Sequence, residues 1–100
     1  MLSSKQRSRL AGLAQSRDCL ATLGRAGASP ELVERLSVLL AQHELVKLRF
    51  GDFKESRAEL AAQLAERSGS EIVRSIGNVT VFWKQNPDAD KRKIDIEDGV

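Results

Sequence analysis

The residues with the most chemistry in their spacing are Gly24-Arg25-Ala26-Gly27. Two glycines flanking a pair of residues open backbone angles closed to other side chains, and let a ligand approach amide N–H groups with no Cβ in the way. Arg25 adds a planar charged fork that suits a phosphate oxygen. Directly afterwards, Ser29-Pro30 is a strong helix start, because serine caps free amides and proline at the first helical position has its φ already set. The loop amides therefore stand at the positive end of a helix dipole, which favours anions. This chemistry is the noncovalent capture of phosphate. The motif is neither Gly-x-Gly-x-x-Gly nor a Walker loop, so it disfavours a dinucleotide or ATP.

The formal net charge of +2 hides an asymmetry. Residues 1–25 set Lys5, Arg7, Arg9, Arg17 and Arg25 against Asp18, a net of +4. Residues 26–84 balance eight bases with eight acids, and residues 85–100 hold three bases and five acids, net −2. A basic front suits a polyanion. Lys5 and Arg9, four apart, share a helix face, with Arg7 displaced around the cylinder. Lys47 and Arg49 alternate with Val46, Leu48 and Phe50, so their strand has one basic face, for ligand contact or for edge protection.

Other chemistries lack components. Cys19 is the only cysteine and His43 the only histidine, which excludes an internal disulfide and leaves a zinc site without its ligands. His43 beside Glu44 at a helix C-terminus is explained by the dipole and the last carbonyls. The 14 carboxylates are scattered over helix surfaces and the C-terminal segment, where Asp88 and Asp90 read as solvated. No enzyme activity, cofactor, metal or small-molecule substrate is expected. No apolar run approaches the roughly 20 residues that span a bilayer, and the front lacks the zones of a signal peptide, so a cytoplasmic monomer with no membrane partner is expected.

The elements that must position the loop are legible from period and punctuation. Ser3 or Ser4 caps a helix through Ala14, with Leu10, Leu13 and Ala14 as its apolar face. Asp18 to Leu23 reads as a strand, and a helix from Ser29-Pro30 to about His43 buries a stripe of Leu32, Val33, Leu36, Leu39 and Leu40. After the second strand, both Asp52-x-x-Glu55 and Ser56-x-x-Glu59 have capping-box spacing for a third helix that Ser68-Gly69 closes. Two strands then flank Gly77-Asn78, a hairpin signal. In the last strand Trp83 shares its parity with Val79 and Val81 and belongs to the core. Phe82 is either exposed as a base-stacking platform or covered by a helix. The sequence thus specifies one compact α+β domain over residues 1–85, in the order α-β-α-β-α-β-β. Residues 86–100, with Pro87 and dense mixed charge, read as a flexible tail whose Ile94 and Ile96 dock weakly at most.

Taken together, Leu2-Ser3-Ser4-Lys5-Gln6-Arg7, Leu23-Gly24-Arg25-Ala26-Gly27, His43-Glu44-Leu45-Val46-Lys47 and the run from Ile76 to Lys84 resemble the CRM domain family (chloroplast RNA splicing and ribosome maturation). The resemblance is collinear over residues 2–84 and is greatest to the stand-alone bacterial YhbY-like members. It implies a four-stranded mixed sheet packed with helices, a KH-like Gly-x-x-Gly loop that binds RNA, and association with ribosomal RNA in large-subunit precursors. The RNA contacts expected on both grounds are Gly24, Arg25, Ala26, Gly27, Lys5, Arg7, Arg9, Lys47, Arg49 and Lys84. Two positions depart from the family pattern: Ala26 leaves Arg25 as the one charge between the glycines, and Lys84 replaces an arginine fork with a point charge. A different class of reading is a protein-interaction module docking on an acidic partner through the basic first helix, with RNA contact incidental.

Overall fold

The computed structural model describes residues 2–96. Ser3 starts the fold: its hydroxyl accepts from the Gln6 amide at 3.1 Å while the Gln6 side chain accepts from the Ser3 amide at 2.9 Å, a reciprocal capping box. Helix α1 follows over Ser4–Ala14, then β1 over Cys19–Leu23. The Ser29 hydroxyl accepts from the Leu32 amide at 3.1 Å and starts α2, Pro30–His43, with Pro30 in the first turn. Strand β2, Leu45–Phe50, leads to α3, Arg57–Ser68, which Gly69 ends at φ +70°. Strands β3, Glu71–Ile76, and β4, Val79–Trp83, form the expected hairpin.

Neither capping box proposed for α3 forms. The Asp52 carboxylate accepts instead from the adjacent Phe53 amide at 2.8 Å. A 3-10 turn over Lys54–Ser56 then precedes the helix, and the Ser56 side chain makes no capping bond.

The sheet order is β1-β2-β4-β3, with β1 parallel to β2 and the other pairs antiparallel. Helices α2 and α3 cover one face, packing Leu36, Leu40 and Leu64 on Leu23, Leu48, Phe50 and Phe82. On the other face α1 packs Leu10, Ala11 and Ala14 against Leu45, Val81 and Trp83. Both parities of β4 are therefore buried. Trp83 is core as expected, and Phe82 is fully buried under α2 and α3, which decides between its two readings in favour of the covered one. Leu13, assigned to the apolar face of the first helix, is exposed, and Ala11 takes that role.

The reading of residues 86–100 as a flexible tail is corrected over 86–96; residues 97–100 lie outside the described residues. The Glu44 carboxylate is buried, 1% exposed, and accepts from the backbone amides of Asn86 at 2.6 Å, Lys93 at 2.7 Å and Ile94 at 3.1 Å. A buried carboxylate needs such donors, and the returning segment is what supplies them. Ile94 then closes the apolar layer over Leu2, Leu45 and Trp83. Arg9 Nε donates to the Asp95 carbonyl at 2.7 Å and Gln6 Nε2 to the Ile96 carbonyl at 3.0 Å, so α1 also grips the segment. Nearby, the Leu2 amide donates to Glu71 at 2.9 Å. Partial burial raises the pKa of that carboxyl, but the Leu2 bond and nearby positive charge, Arg7 included, outweigh it and hold the group below the usual carboxylate value.

Candidate nucleic-acid interface

Because β1 and β2 are parallel, the segments that leave them emerge side by side, at the end of a sheet where ligands of α/β folds commonly sit. The Gly51 amide donates to the Leu23 carbonyl at 2.9 Å and ties the two exits together. A Cβ at Gly51 would stand 3.2 Å from Thr22 Cγ2, a tight contact that the glycine relieves.

The Gly27 amide donates to the Gly24 carbonyl at 2.9 Å, which closes a turn with Arg25 and Ala26 at its exposed corner. Gly27 has φ +65°, a conformation that favours glycine. Among the described residues the Arg25 and Ala26 amides make no hydrogen bond, and neither does the Arg25 guanidinium. The loop is held from outside by Arg67, which donates to the Ala28 carbonyl at 2.7 Å. The hairpin turn reaches the same end: Phe50 N–H donates to the Asn78 carbonyl at 2.7 Å, and Arg57 to the Asn78 side chain at 2.8 Å.

Sequence reasoning missed Phe53 here. Its backbone is left-handed at φ +53° and its ring is 45% exposed. The ring lies beside the loop, with Cε2 3.7 Å from where a Cβ on Gly27 would be. An aromatic in a turn otherwise made of Gly51, Asp52 and Lys54 was the available signal.

The ten expected contacts do not form one surface. Gly24, Arg25, Ala26 and Gly27 form the turn. Arg49 stands just below it on β2, exposed and paired with Thr22 and Val79 on the α1 face of the sheet, beyond the part α1 covers. Lys47, two residues back on that face, is half-buried and donates to the Arg17 carbonyl at 2.9 Å. Arg74, exposed on β3, belongs with them and was missed.

The remaining four lie elsewhere. Lys5 is exposed near the start of α1, which begins beside Glu71 at the opposite end of the sheet. Arg7 donates to the Ile72 and Val73 carbonyls, and Arg9 to the tail segment. Lys84 leaves the sheet at the end opposite the loop, and its ammonium donates to the Ser68 carbonyl at 3.2 Å, at the C-terminus of α3. Long stems let these cations reach carbonyls of the fold, and burying such carbonyls unpaired would be costly. Two of the three charges on the first helix are thus committed internally, which weakens the acidic-partner reading.

The loop end combines free amides, a guanidinium, an open aromatic ring and a row of cations on the adjoining sheet face. Such a surface suits a chain of phosphates bearing planar rings. Among the described residues no group of three or more His, Cys, Asp or Glu side chains is placed to hold a metal ion, and no helix is long and apolar enough to cross a membrane.

A three-layer α+β domain with a Gly-x-x-Gly turn where its parallel strands end is the class that the fold and site define. The chain belongs to the CRS1/YhbY (CRM) domain family, whose sequence model matches residues 2–84. It is 26% identical over 87 residues to a Bacillus subtilis protein named "Probable RNA-binding protein YqeI", covering 86% of this chain and 91% of that one. The solution structure of SAV1595 from Staphylococcus aureus, described there as a candidate RNA-binding protein, superposes with a TM-score of 0.77 at 27% identity, covering 95% of this chain and all of the other.

Proposed function

We propose that this protein binds RNA through the loop end of its sheet, and that the RNA is ribosomal RNA in precursors of the large subunit, whose assembly the protein assists. In this reading it acts as a cytoplasmic monomer and has no catalytic role. The observation that carries the proposal is the turn at residues 24–27. Its exposed corner presents free amides and an unengaged arginine, with Phe53 alongside, in a family whose named relative is a probable RNA-binding protein. Phosphate contacts fix the strand, and Phe53 offers a ring on which a base stacks.

The contacts are cations and amides acting on phosphates, so affinity should fall steeply with salt. Each phosphate neutralised on a single strand contributes about −0.7 to the log–log slope, and Arg25, Arg49, Lys47 and Arg74 together predict about −2 to −3. Titrating a short single-stranded RNA at several ionic strengths measures this, and a flat response removes the phosphate-contact reading. The choice of RNA is tested by crosslinking in cells and sequencing what is bound. Reads concentrated in large-subunit precursor RNA support the assignment, whereas reads spread over messengers or introns overturn it.

A further inference from the structure

The α1 face of the sheet is only half covered. Helix α1 carries Ala11 and Ala14 where larger side chains would fill the space over β4, and they leave a cleft of about 280 Å³ between the end of the helix and the sheet. This is slightly smaller than the roughly 300–1,000 Å³ of sites that hold a drug-sized molecule. Ala11, Ala14 and Gln15 line the cleft from the helix side, and Ile76, Val79 and Val81 from the sheet. Ile76 is 63% exposed on an edge strand, the most exposed large apolar side chain among the described residues. Lys47 and Arg74 stand at the cleft, and no carboxylate lines it.

An apolar slot with two cations and no acid is complementary to a flat ring joined to anions. It also lies on the path of a strand leaving the loop. Leu23, the residue before the loop, pairs with Phe50, and Lys47 is three residues back along β2, about 10 Å at the usual strand rise. Arg49 faces the same side between them. The order Arg25, Arg49, Lys47, Arg74 is therefore a cationic track that begins at the turn and ends at the cleft. Single-strand grooves are built this way, with charge following the backbone and apolar surfaces taking bases. The bond from Lys47 to the Arg17 carbonyl holds its ammonium in place and leaves donors for a phosphate.

We propose that this cleft seats one unpaired nucleobase of the RNA strand held at loop 24–27, with the neighbouring phosphates on Lys47 and Arg74. The proposal rests on the RNA reading above and adds to it a base site that the turn does not provide.

The test uses the full chain with oligouridylate carrying 4-thiouridine, together with a base-free ribose phosphate polymer of equal length. Irradiation should place adducts on the segment from Ser75 to Val81, identified by mass spectrometry of the peptides. Ile76→Glu changes an exposed position and should leave folding intact. It should weaken oligouridylate binding roughly tenfold, the scale of one seated base, and weaken the base-free polymer much less. Arg74→Ala should reduce the salt slope by about 0.7.

If Ile76→Glu lowers affinity for both polymers equally, or for neither, and adducts are confined to the loop and Phe53, the cleft is not a base site and the RNA reading stands. If the parent protein binds neither polymer at low salt, the RNA reading falls and the cleft assignment with it.

Discussion

Glu44→Gln should lower the stability of the domain by about 2–3 kcal/mol, an effect set by the three backbone amides that its carboxylate accepts. Glutamine offers one carbonyl oxygen, and its NH₂ would face donors, so at least one amide of the 86–94 segment loses its acceptor. Each unsatisfied buried donor costs about 1–3 kcal/mol. The segment can escape that cost by undocking, which forfeits the burial of Ile94, worth about 1.5–3 kcal/mol. The smaller of the two costs bounds the loss. In a chain of this size the thermal midpoint should fall by about 8–24 °C, at ~4–8 °C per kcal/mol. Glu44 also holds φ +63°, a strained angle for a residue with a side chain, and the carboxylate bonds offset that strain.

Deleting residues 86–100 should cost a similar amount, whereas a flexible tail with weak docking would cost little. Combining the deletion with Glu44→Gln should add little, because both remove the same contact. Full additivity, or an unchanged midpoint in the single variant, would show that the segment docks without Glu44.

The parts of the fold legible in the sequence are those decided locally. Ser29-Pro30, Gly69 and Gly77-Asn78 each act on their own backbone, and the structure has the elements they imply. What escaped was decided by distant partners. Alternation in β4 shows that Phe82 and Trp83 face opposite ways but cannot show that both faces are covered, as they are for a strand lying between β2 and β3 with helices on either side. A cluster of bases on α1 reads as a ligand-facing surface until Ile72, Val73 and Asp95 bring carbonyls to Arg7 and Arg9. Pro87 and dense mixed charge marked residues 86–100 as loose, yet the anchor of 86–94 is a carboxylate more than 40 residues upstream. In the site, the turn was legible because its glycines and helix start are contiguous. Phe53 and Arg74 were not, because strand order alone brings their segments beside it.

Arg25→Glu should separate binding from folding. Arg25 sits at the exposed corner of the turn, and its guanidinium has no hydrogen bond among the described residues. Reversing its charge therefore removes nothing from the fold, and stability should move by no more than about 0.5 kcal/mol. Binding should respond differently. The variant loses a charge-assisted contact and places a carboxylate where a phosphate must approach, so RNA affinity at moderate salt should fall at least about tenfold, ~1.4 kcal/mol or more. The salt slope should become shallower as well. Gly27→Asp is a poorer instrument, since it forces a side chain into φ +65° and mixes strain with repulsion. Phe53→Ala provides a matched control: the ring is half open, so its removal should weaken RNA binding while leaving the salt slope unchanged, because stacking releases no counterions. An Arg25→Glu protein that melts like the parent and binds RNA just as tightly would reduce the 24–27 loop to a strand-to-helix turn, and the interface would have to be sought on Lys5 and the far end of the sheet.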